Sequence, residues 1–217
     1  MALVGDRQLD ASSHAPVTRA IDDLKEAFSG AEVESTWFPT TAVDRSLSEY
    51  DGVWLLGSPY ESEAGVITAA GVARRNGIPL LGTCGGLQLA VTEFATQVAG
   101  MDEEEVLVPL SCSVGSNECL VLATSGSLFE RALGAKQTRE TYHCSYGLNP
   151  LALQILTEHG MSFTGFDPDG VVRVAELPAH PFFLGTLFQP ELSVRANPHP
   201  IIRAWADAAY ERNRTKG

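Results

Sequence analysis

The sequence predicts one α/β domain with a largely parallel central sheet and helices on both of its faces. Short apolar runs typical of buried strands alternate with segments of helical periodicity. The runs are residues 2–4, 33–38, 51–57 and 78–81, and the helical segments are residues 16–28 and 64–75. Strands that alternate with helices indicate right-handed crossovers and therefore parallel pairing. A chain of 217 residues, 44% of them hydrophobic, can bury a sizeable core, so we expect one domain over residues 1–217.

The second half of the chain is predicted to add more strands and two helices. The strands are expected at residues 106–110, 118–123, 138–148, 162–166, 171–177 and 182–188. The helices are expected at residues 127–133 and 198–211, with Ser127 and Asn197 as their N-caps. Residues 167–170, Asp-Pro-Asp-Gly, are a strong turn signal, so the strands on either side of them should form a hairpin.

Charge and cysteine usage exclude several classes of function. The net charge is −12 and the chain has no cluster of basic residues, which argues against nucleic acid or an anionic membrane as a partner. The cysteines are Cys84, Cys112, Cys119 and Cys144. None of them forms a C-x-x-C pair, and Cys112 and Cys119 lack histidine partners at zinc-ligand spacing. We therefore expect no metal and no cofactor. The absence of a recognisable signal peptide or long apolar span predicts a cytoplasmic protein.

The turn at Gly82-x-Cys84-x-Gly86 is the strongest functional signal. It follows an apolar strand and precedes an apolar helical face, which is the pattern of a nucleophile elbow with cysteine in place of serine. A sulfur at a helix N-terminus is favoured as a thiolate, and the backbone N–H of Gly85 could face an oxyanion. The alternative is a glycine-rich turn around an inert, buried cysteine.

A second stretch gives the turn a family context. Residues 180–191 read His-Pro-Phe-Phe-Leu-Gly-Thr-Leu-Phe-Gln-Pro-Glu. Together with the turn at Cys84, this stretch resembles the class I glutamine amidotransferases, above all the glutaminase half of CTP synthase. The resemblance covers nearly the whole chain and implies a flavodoxin-like sheet. The synthetase half has no counterpart, so the chain is similar to stand-alone proteins related to the C-terminal region of CTP synthase.

The resemblance assigns roles to matching positions. Cys84 matches the nucleophile that forms a glutamyl thioester, and Gly57 and Ser58 match a loop that supplies an oxyanion donor. Because Pro59 has no N–H, the Ser58 and Gly85 N–H groups would form the oxyanion hole.

Gln88 and Glu191 also match the family's site, but the catalytic histidine does not. Gln88 matches a glutamine that contacts the substrate, and Glu191 matches the acid that orients the catalytic histidine. That histidine is replaced by Gln189. A carboxamide has no useful proton affinity near neutral pH and cannot act as the base.

The segment that should bind the substrate's carboxylate also departs from the family. Three arginines of the family pattern are replaced by Thr141, His143 and Ser145, which removes a charge-assisted clamp. Arg139 lies just upstream and is a candidate replacement. His143 is the candidate substitute base, because its segment lines the family's pocket.

The other histidines are better explained by structural roles. His180 begins the strand that leads to Gln189, and nine extended residues would separate the two by about 30 Å. His14 and His199 precede helices and are expected to be caps or loop residues, and His159 is expected in a loop.

Four functions remain open. The first is a Cys84-dependent hydrolase or transferase with a non-standard substrate and with little or no glutaminase activity. The second is a non-catalytic binding or regulatory relative. The third is thiol redox chemistry at Cys84, which needs no general base. The fourth is ordinary glutamine hydrolysis that feeds a partner synthetase. The resemblance leaves open a small-molecule substrate that carries an amide, a partner protein and a homodimer.

Overall fold

A nine-stranded mixed sheet runs through the computed structural model, which describes residues 1–7, 14–28, 33–110, 117–142, 144–193 and 198–216. The strands are β1 (Ala2–Val4), β2 (Thr36–Phe38), β3 (Val53–Leu55), β4 (Leu80–Thr83), β5 (Leu107–Pro109), β6 (Asn117–Ala123), β7 (Gln137–Tyr142), β8 (Tyr146–Leu148), β9 (Ser162–Phe166), β10 (Val172–Glu176) and β11 (Phe183–Thr186). The sheet order is β2-β1-β3-β4-β11-β10-β9-β6-β7, and β5 pairs with β8 separately.

In the parallel part of the sheet, β4 lies between β3 and β11. Strands β2, β1, β3, β4 and β11 are parallel, with Leu81 of β4 opposite Trp54 of β3 and opposite Leu184 of β11. Every residue of β3, β4 and β11 is buried, which explains why their sequences are continuous apolar runs without alternation. The predicted α/β fold with a parallel central sheet is confirmed, and four antiparallel strands extend it.

Six α-helices among the described residues cover the sheet. They are α1 (His14–Ala27), α2 (Glu63–Arg75), α3 (Gly85–Phe94), α4 (Leu128–Leu133), α5 (Pro150–Glu158) and α6 (Pro200–Lys216). Helices α2 and α3 pack against each other, and α6 packs against both α1 and α4. Because β1–α1–β2 and β3–α2–β4 cross over in opposite directions along the sheet, their helices lie on opposite faces. In the described part of the chain, no helix is long and apolar enough to cross a membrane.

Local sequence signals explain several of the boundaries. Ser127 accepts a hydrogen bond from Glu130 N at 3.0 Å and caps α4 as predicted. Asp167 accepts from Asp169 N and Val171 N, which fixes the predicted hairpin between β9 and β10. The predicted cap Asn197 lies outside the described residues.

Two predictions for the second half of the chain were wrong. Residues 138–148 do not form one strand: β7 pairs with β6, whereas β8 pairs with β5 in the separate ladder. Helix α5 was missed, although Asn149 caps it by accepting from Leu151 N at 3.1 Å and Pro150 occupies its first turn. An Asn-Pro pair before an apolar stretch is a helix start signal that could have revealed it.

Candidate functional site

Cys84 lies in a tight turn between β4 and α3, as the sequence predicts. Its φ of 54° and ψ of −115° make it the only non-glycine residue with positive φ in the described part of the chain. Such a conformation costs on the order of 1–3 kcal/mol and persists only where the surroundings enforce it. Here, Cys84 N donates to Thr186 O at 2.8 Å, and Leu87 N donates to Cys84 O at 3.1 Å.

Glycines on both sides of Cys84 allow the close approach of backbones that the turn requires. A Cβ atom on Gly86 would lie 2.1 Å from the carbonyl oxygen of Leu55, and one on Gly82 would lie 2.9 Å from the carbonyl carbon of Gly86. Both distances are too short for any side chain. The Gly-x-Cys-x-Gly spacing is therefore a steric requirement of this turn.

The sulfur of Cys84 contacts a second cysteine. Cys144 Sγ lies 3.0 Å from Cys84 Sγ, and both residues are buried. The hydrogen bond from Cys144 lowers the pKa of the Cys84 thiol, burial opposes this, and a hydrogen bond from the Gly85 backbone N–H adds to the lowering. The same contact and burial raise the pKa of Cys144. Cys84 is therefore the more acidic thiol of the pair.

A polar network holds the loop after β3 against the turn. The carboxylate of Asp6 accepts from Thr40 N at 2.8 Å and from Glu61 N at 2.6 Å, and Thr40 Oγ1 accepts from Ser62 N at 2.9 Å. Asp6 is buried, so these bonds fix the loop that carries residues 57–62.

This loop brings backbone N–H groups next to Cys84. A Cβ atom on Gly85 would lie 3.2 Å from Ser58 N and 2.7 Å from the Tyr60 hydroxyl, which itself donates to Leu56 O. The N–H groups of Ser58 and Gly85 are thus on neighbouring segments. A Cβ atom on Gly57 would lie 3.5 Å from both Cys84 Cβ and Gln189 Nε2, so both side chains approach Gly57.

Behind Cys84, a chain of buried polar groups ends at Glu191. Gln189 Nε2 donates to Glu191 Oε1 at 3.3 Å, and Thr83 Oγ1 lies 3.4 Å from the same oxygen. Trp54 Nε1 donates to Thr83 Oγ1 at 3.2 Å. Burial raises the pKa of Glu191 to about 7, against the lowering by its hydrogen bonds. Its Oε2 atom has no hydrogen-bond partner among the described residues.

A cavity of about 550 Å³ is lined by residues of the loop after β3 and of α3, and Cys84 is not among its described lining residues. Gln88 lines it and donates from Nε2 to Tyr146 O at 2.8 Å. Its other lining residues include Ser58, Tyr60, Glu63, Glu103 and Glu104. A cavity of similar volume, about 560 Å³, lies near Met1 and Tyr210, and no candidate site residue lines it.

Comparison with known proteins assigns the family. Residues 17–208 match the model of the family described as glutamine amidotransferase class-I. The chain belongs to the class I glutamine amidotransferases. It is 37% identical over 194 residues to the CTP synthase of Rubrobacter xylanophilus, covering 78% of this chain and 35% of that protein. It is 30% identical over 215 residues to the CTP synthase of Methanococcoides burtonii, covering 86% and 40%. The chain thus spans well under half the length of these two relatives.

Solved structures agree on the fold of this class I glutamine amidotransferase. The glutaminase domain of Trypanosoma brucei CTP synthase, solved with bound acivicin, superposes with a TM-score of 0.86 at 23% identity, covering 97% of this chain and 93% of that one. A glutamine amidotransferase from Thermotoga maritima superposes with a TM-score of 0.61 at 16% identity, covering 98% and 84%.

The described histidines of this amidotransferase lie away from Cys84 in structural roles. His180 packs on Phe183, and its Nε2 lies 3.4 Å from Ala73 O, near the start of β11. His199 Nε2 lies 3.0 Å from the buried Glu140 carboxylate, and His159 caps α5. His143, the candidate substitute base, lies outside the described residues, as does the side chain of His14.

Sequence reasoning missed two residues that lie next to the Cys84 turn. Cys144 falls within residues 138–148, which were predicted to be a strand, and neither Cys144 nor Tyr60 was singled out as a site residue. A cysteine inside the segment expected to line the pocket was the available signal for Cys144.

In the described residues, no group of three or more His, Cys, Asp or Glu side chains is arranged to hold a metal ion.

Proposed function

We propose that this class I glutamine amidotransferase of the CTP synthase type is a cysteine-dependent hydrolase or transferase that acts on activated acyl groups and has little or no glutaminase activity. Cys84 is the nucleophile, in a nucleophile elbow. The observation that carries the proposal is the position of Gln189. Its amide approaches Gly57, as Cys84 Cβ does, and donates to Glu191, where the family resemblance expects an imidazole.

The missing imidazole has different consequences for different substrates. Expelling an amine from the tetrahedral intermediate requires a proton donor, and a carboxamide is not a useful one. A thioester or an activated ester expels a stable anion and needs no such donor. The proposed substrates are therefore acyl groups on a good leaving group.

Two features support nucleophilic attack without a base. The thiolate, not the thiol, is the nucleophile of a cysteine, and the pKa of Cys84 is lowered chiefly by the hydrogen bond from Cys144. The N–H groups of Ser58 and Gly85 are the proposed oxyanion hole, because their segments meet next to Cys84.

The cavity favours a substrate without a free carboxylate. Three glutamates line it and no lysine or arginine is among its described lining residues; the glutamates are Glu63, Glu103 and Glu104. Arg139 is exposed on β7 and does not line this cavity. A substrate carboxylate would meet like charge here, so the proposed acyl group is neutral or cationic.

The test uses p-nitrophenyl acetate and follows both p-nitrophenol release and the mass of the Cys84 peptide. We expect a burst of product and acetylation of Cys84, both abolished by Cys84→Ser. Cys119→Ser is the matched control, since Cys119 lies in β6 outside the cluster, and it should leave the burst unchanged. Acetylation spread evenly over the cysteines, or a burst that survives Cys84→Ser, would exclude the proposal, and the absence of any burst would favour a non-catalytic binding protein.

A further inference from the structure

The contact between Cys84 and Cys144 allows a reaction between the two sulfurs that acyl transfer does not use. The two sulfur atoms are 3.0 Å apart and are not bonded to each other. A disulfide bond is about 2.0 Å long, so the sulfurs need to approach by only about 1 Å to become bonded. Cys144 lies between β7 and β8, outside both ladders, where small side-chain and backbone adjustments do not break strand pairing.

Hydrogen bonding distinguishes the two thiols. Cys144 Sγ is within reach of both Cys84 Sγ, at 3.0 Å, and Leu187 O, at 3.2 Å. A thiol has one proton, so Cys144 donates to only one of these at a time. When Cys84 is ionised, its thiolate is the stronger acceptor because hydrogen bonds to charged groups are stronger. Cys84 is therefore the attacking sulfur and Cys144 is the protonated partner.

We propose that Cys84 and Cys144 form a redox-active dithiol that a hydroperoxide oxidises to an intramolecular disulfide. The Cys84 thiolate attacks the hydroperoxide and the O–O bond breaks. The leaving alkoxide, or hydroxide from hydrogen peroxide, takes up from solvent the proton that Cys84 released on ionisation and becomes an alcohol or water. Cys84 becomes a sulfenic acid. Cys144 sulfur then attacks Cys84 sulfur, the S–O bond breaks, and hydroxide leaves as water with the Cys144 proton. The two sulfurs are oxidised and the peroxide is reduced. A dithiol reductant restores both thiols by exchange.

This dithiol does not depend on the acyl chemistry, because it requires only the two sulfurs and the peroxide. If both proposals hold, oxidation removes the nucleophile and turns off ester cleavage reversibly. If only the dithiol proposal holds, the disulfide forms in a protein without esterase activity. The two proposals can therefore fail separately.

The test is oxidation with hydrogen peroxide near stoichiometry, followed by alkylation and peptide mapping under non-reducing conditions. We expect one cross-link, between the Cys84 and Cys144 peptides, with loss of two hydrogen atoms and full reversal by dithiothreitol. Cys144→Ser keeps a donor for Leu187 O but cannot resolve the sulfenic acid, so dimedone should label Cys84 in that variant. Cys84→Ser should leave Cys144 reduced at the same peroxide dose.

Cys119→Ser is the matched control and should leave the cross-link unchanged. A cross-link that joins either residue to Cys112 or Cys119 would overturn the proposal. So would an unmodified Cys84–Cys144 pair, or dimedone labelling that is equal in the parent protein and in Cys144→Ser. Circular dichroism of each variant before oxidation ensures that folded proteins are compared.

Discussion

The side-chain amide of Gln189 donates from Nε2 to Oε1 of Glu191 over 3.3 Å in a buried environment. The two residues are separated by only Pro190, and a 3-10 turn at Pro190–Leu192 directs both side chains toward Thr83 and the Cys84 turn. The amide satisfies one oxygen of the acid. It cannot take a proton from a thiol near neutral pH, so under the proposed function the pair supports the site and does not act as an acid–base dyad.

We predict that the purified protein releases little or no ammonia from L-glutamine. Removing the base of a catalytic triad lowers turnover by several orders of magnitude. Gln189→His should not restore full activity, because the described residues that line the cavity next to Ser58 and Gln88 include acidic and no basic side chains, and glutamine carries an α-carboxylate. The measurement is ammonia release with a coupled glutamate dehydrogenase assay.

The matched control for this assay is Cys84→Ser, which sets the background. Ammonia release by the parent protein on the order of 1 s⁻¹, an ordinary enzymatic rate, would contradict the proposed function. Full glutaminase activity in Gln189→His would show that the carboxylate site is intact.

Local patterns in the sequence were sufficient for the parallel half of the fold and for the turn at Cys84. Buried parallel strands have continuous apolar sequences, and the turn has a steric need for glycine at Gly82 and Gly86. Both features can therefore be recognised in the sequence. The splitting of residues 138–148 into β7 and β8 is not visible in the sequence, because strand pairing is set by distant partners. The contact of Cys84 with Cys144 spans 60 positions and likewise depends on tertiary packing.

We predict that Cys84 reacts with iodoacetamide at lower pH than the other cysteines. The hydrogen bond from Cys144 is the largest cause of its lowered pKa, so Cys144→Ala should move the pH profile of Cys84 labelling to higher pH. A tenfold weaker acid has about a tenfold smaller thiolate fraction near neutral pH, and labelling should slow in proportion. The measurement is the rate of alkylation against pH, resolved by peptide mapping.

Two variants separate the sources of this activation. Cys119→Ala should leave the Cys84 profile unchanged, since Cys119 lies in β6. His143→Ala tests the candidate imidazole: a higher Cys84 pKa would assign His143 a share of the activation. Faster labelling of Cys119 than of Cys84 would show that the Cys84 thiol is protonated or inaccessible.

We predict that Glu191→Gln raises the free energy of unfolding, relative to that of the parent protein, more at pH 8 than at pH 5. Burial raises the pKa of Glu191 from 4.5 to about 7, so the folded state binds the proton more tightly than the unfolded state. The contribution of this carboxyl to stability is full below pH 4.5 and is lost as the pH rises through about 7. The loss amounts to about 3 kcal/mol by linkage, and the uncharged amide of the variant would not incur it.

The measurement is urea unfolding of both proteins at pH 5 and pH 8. The amide keeps an oxygen for Gln189 Nε2, so the difference between the two pH values isolates the ionisation. Glu26→Gln is the control, because Glu26 is exposed on α1. An equal effect of Glu191→Gln at both pH values would indicate that Glu191 is ionised throughout.

We predict that Gly86→Ala disrupts folding, whereas Gly57→Ala folds but slows the chemistry of Cys84. A methyl group on Gly86 would lie 2.1 Å from Leu55 O, and this oxygen belongs to β3 at the centre of the sheet, which cannot shift without breaking strand pairing. A methyl group on Gly57 meets Cys84 Cβ and Gln189 Nε2 at 3.5 Å, which is ordinary van der Waals contact. It would, however, occupy the space between these side chains, where an acyl group on the sulfur must fit.

Thermal unfolding and alkylation measure the two effects of these glycine substitutions separately. Thermal unfolding should show a loss of several kcal/mol for Gly86→Ala, in the range of severe overpacking, and a change within about 1 kcal/mol for Gly57→Ala. Iodoacetamide labelling of Cys84 should then be slower in Gly57→Ala than in the parent protein, because the added methyl group narrows the approach to the sulfur. A stable Gly86→Ala variant with normal Cys84 reactivity would mean that the turn does not bring α3 against Leu55 as closely as described.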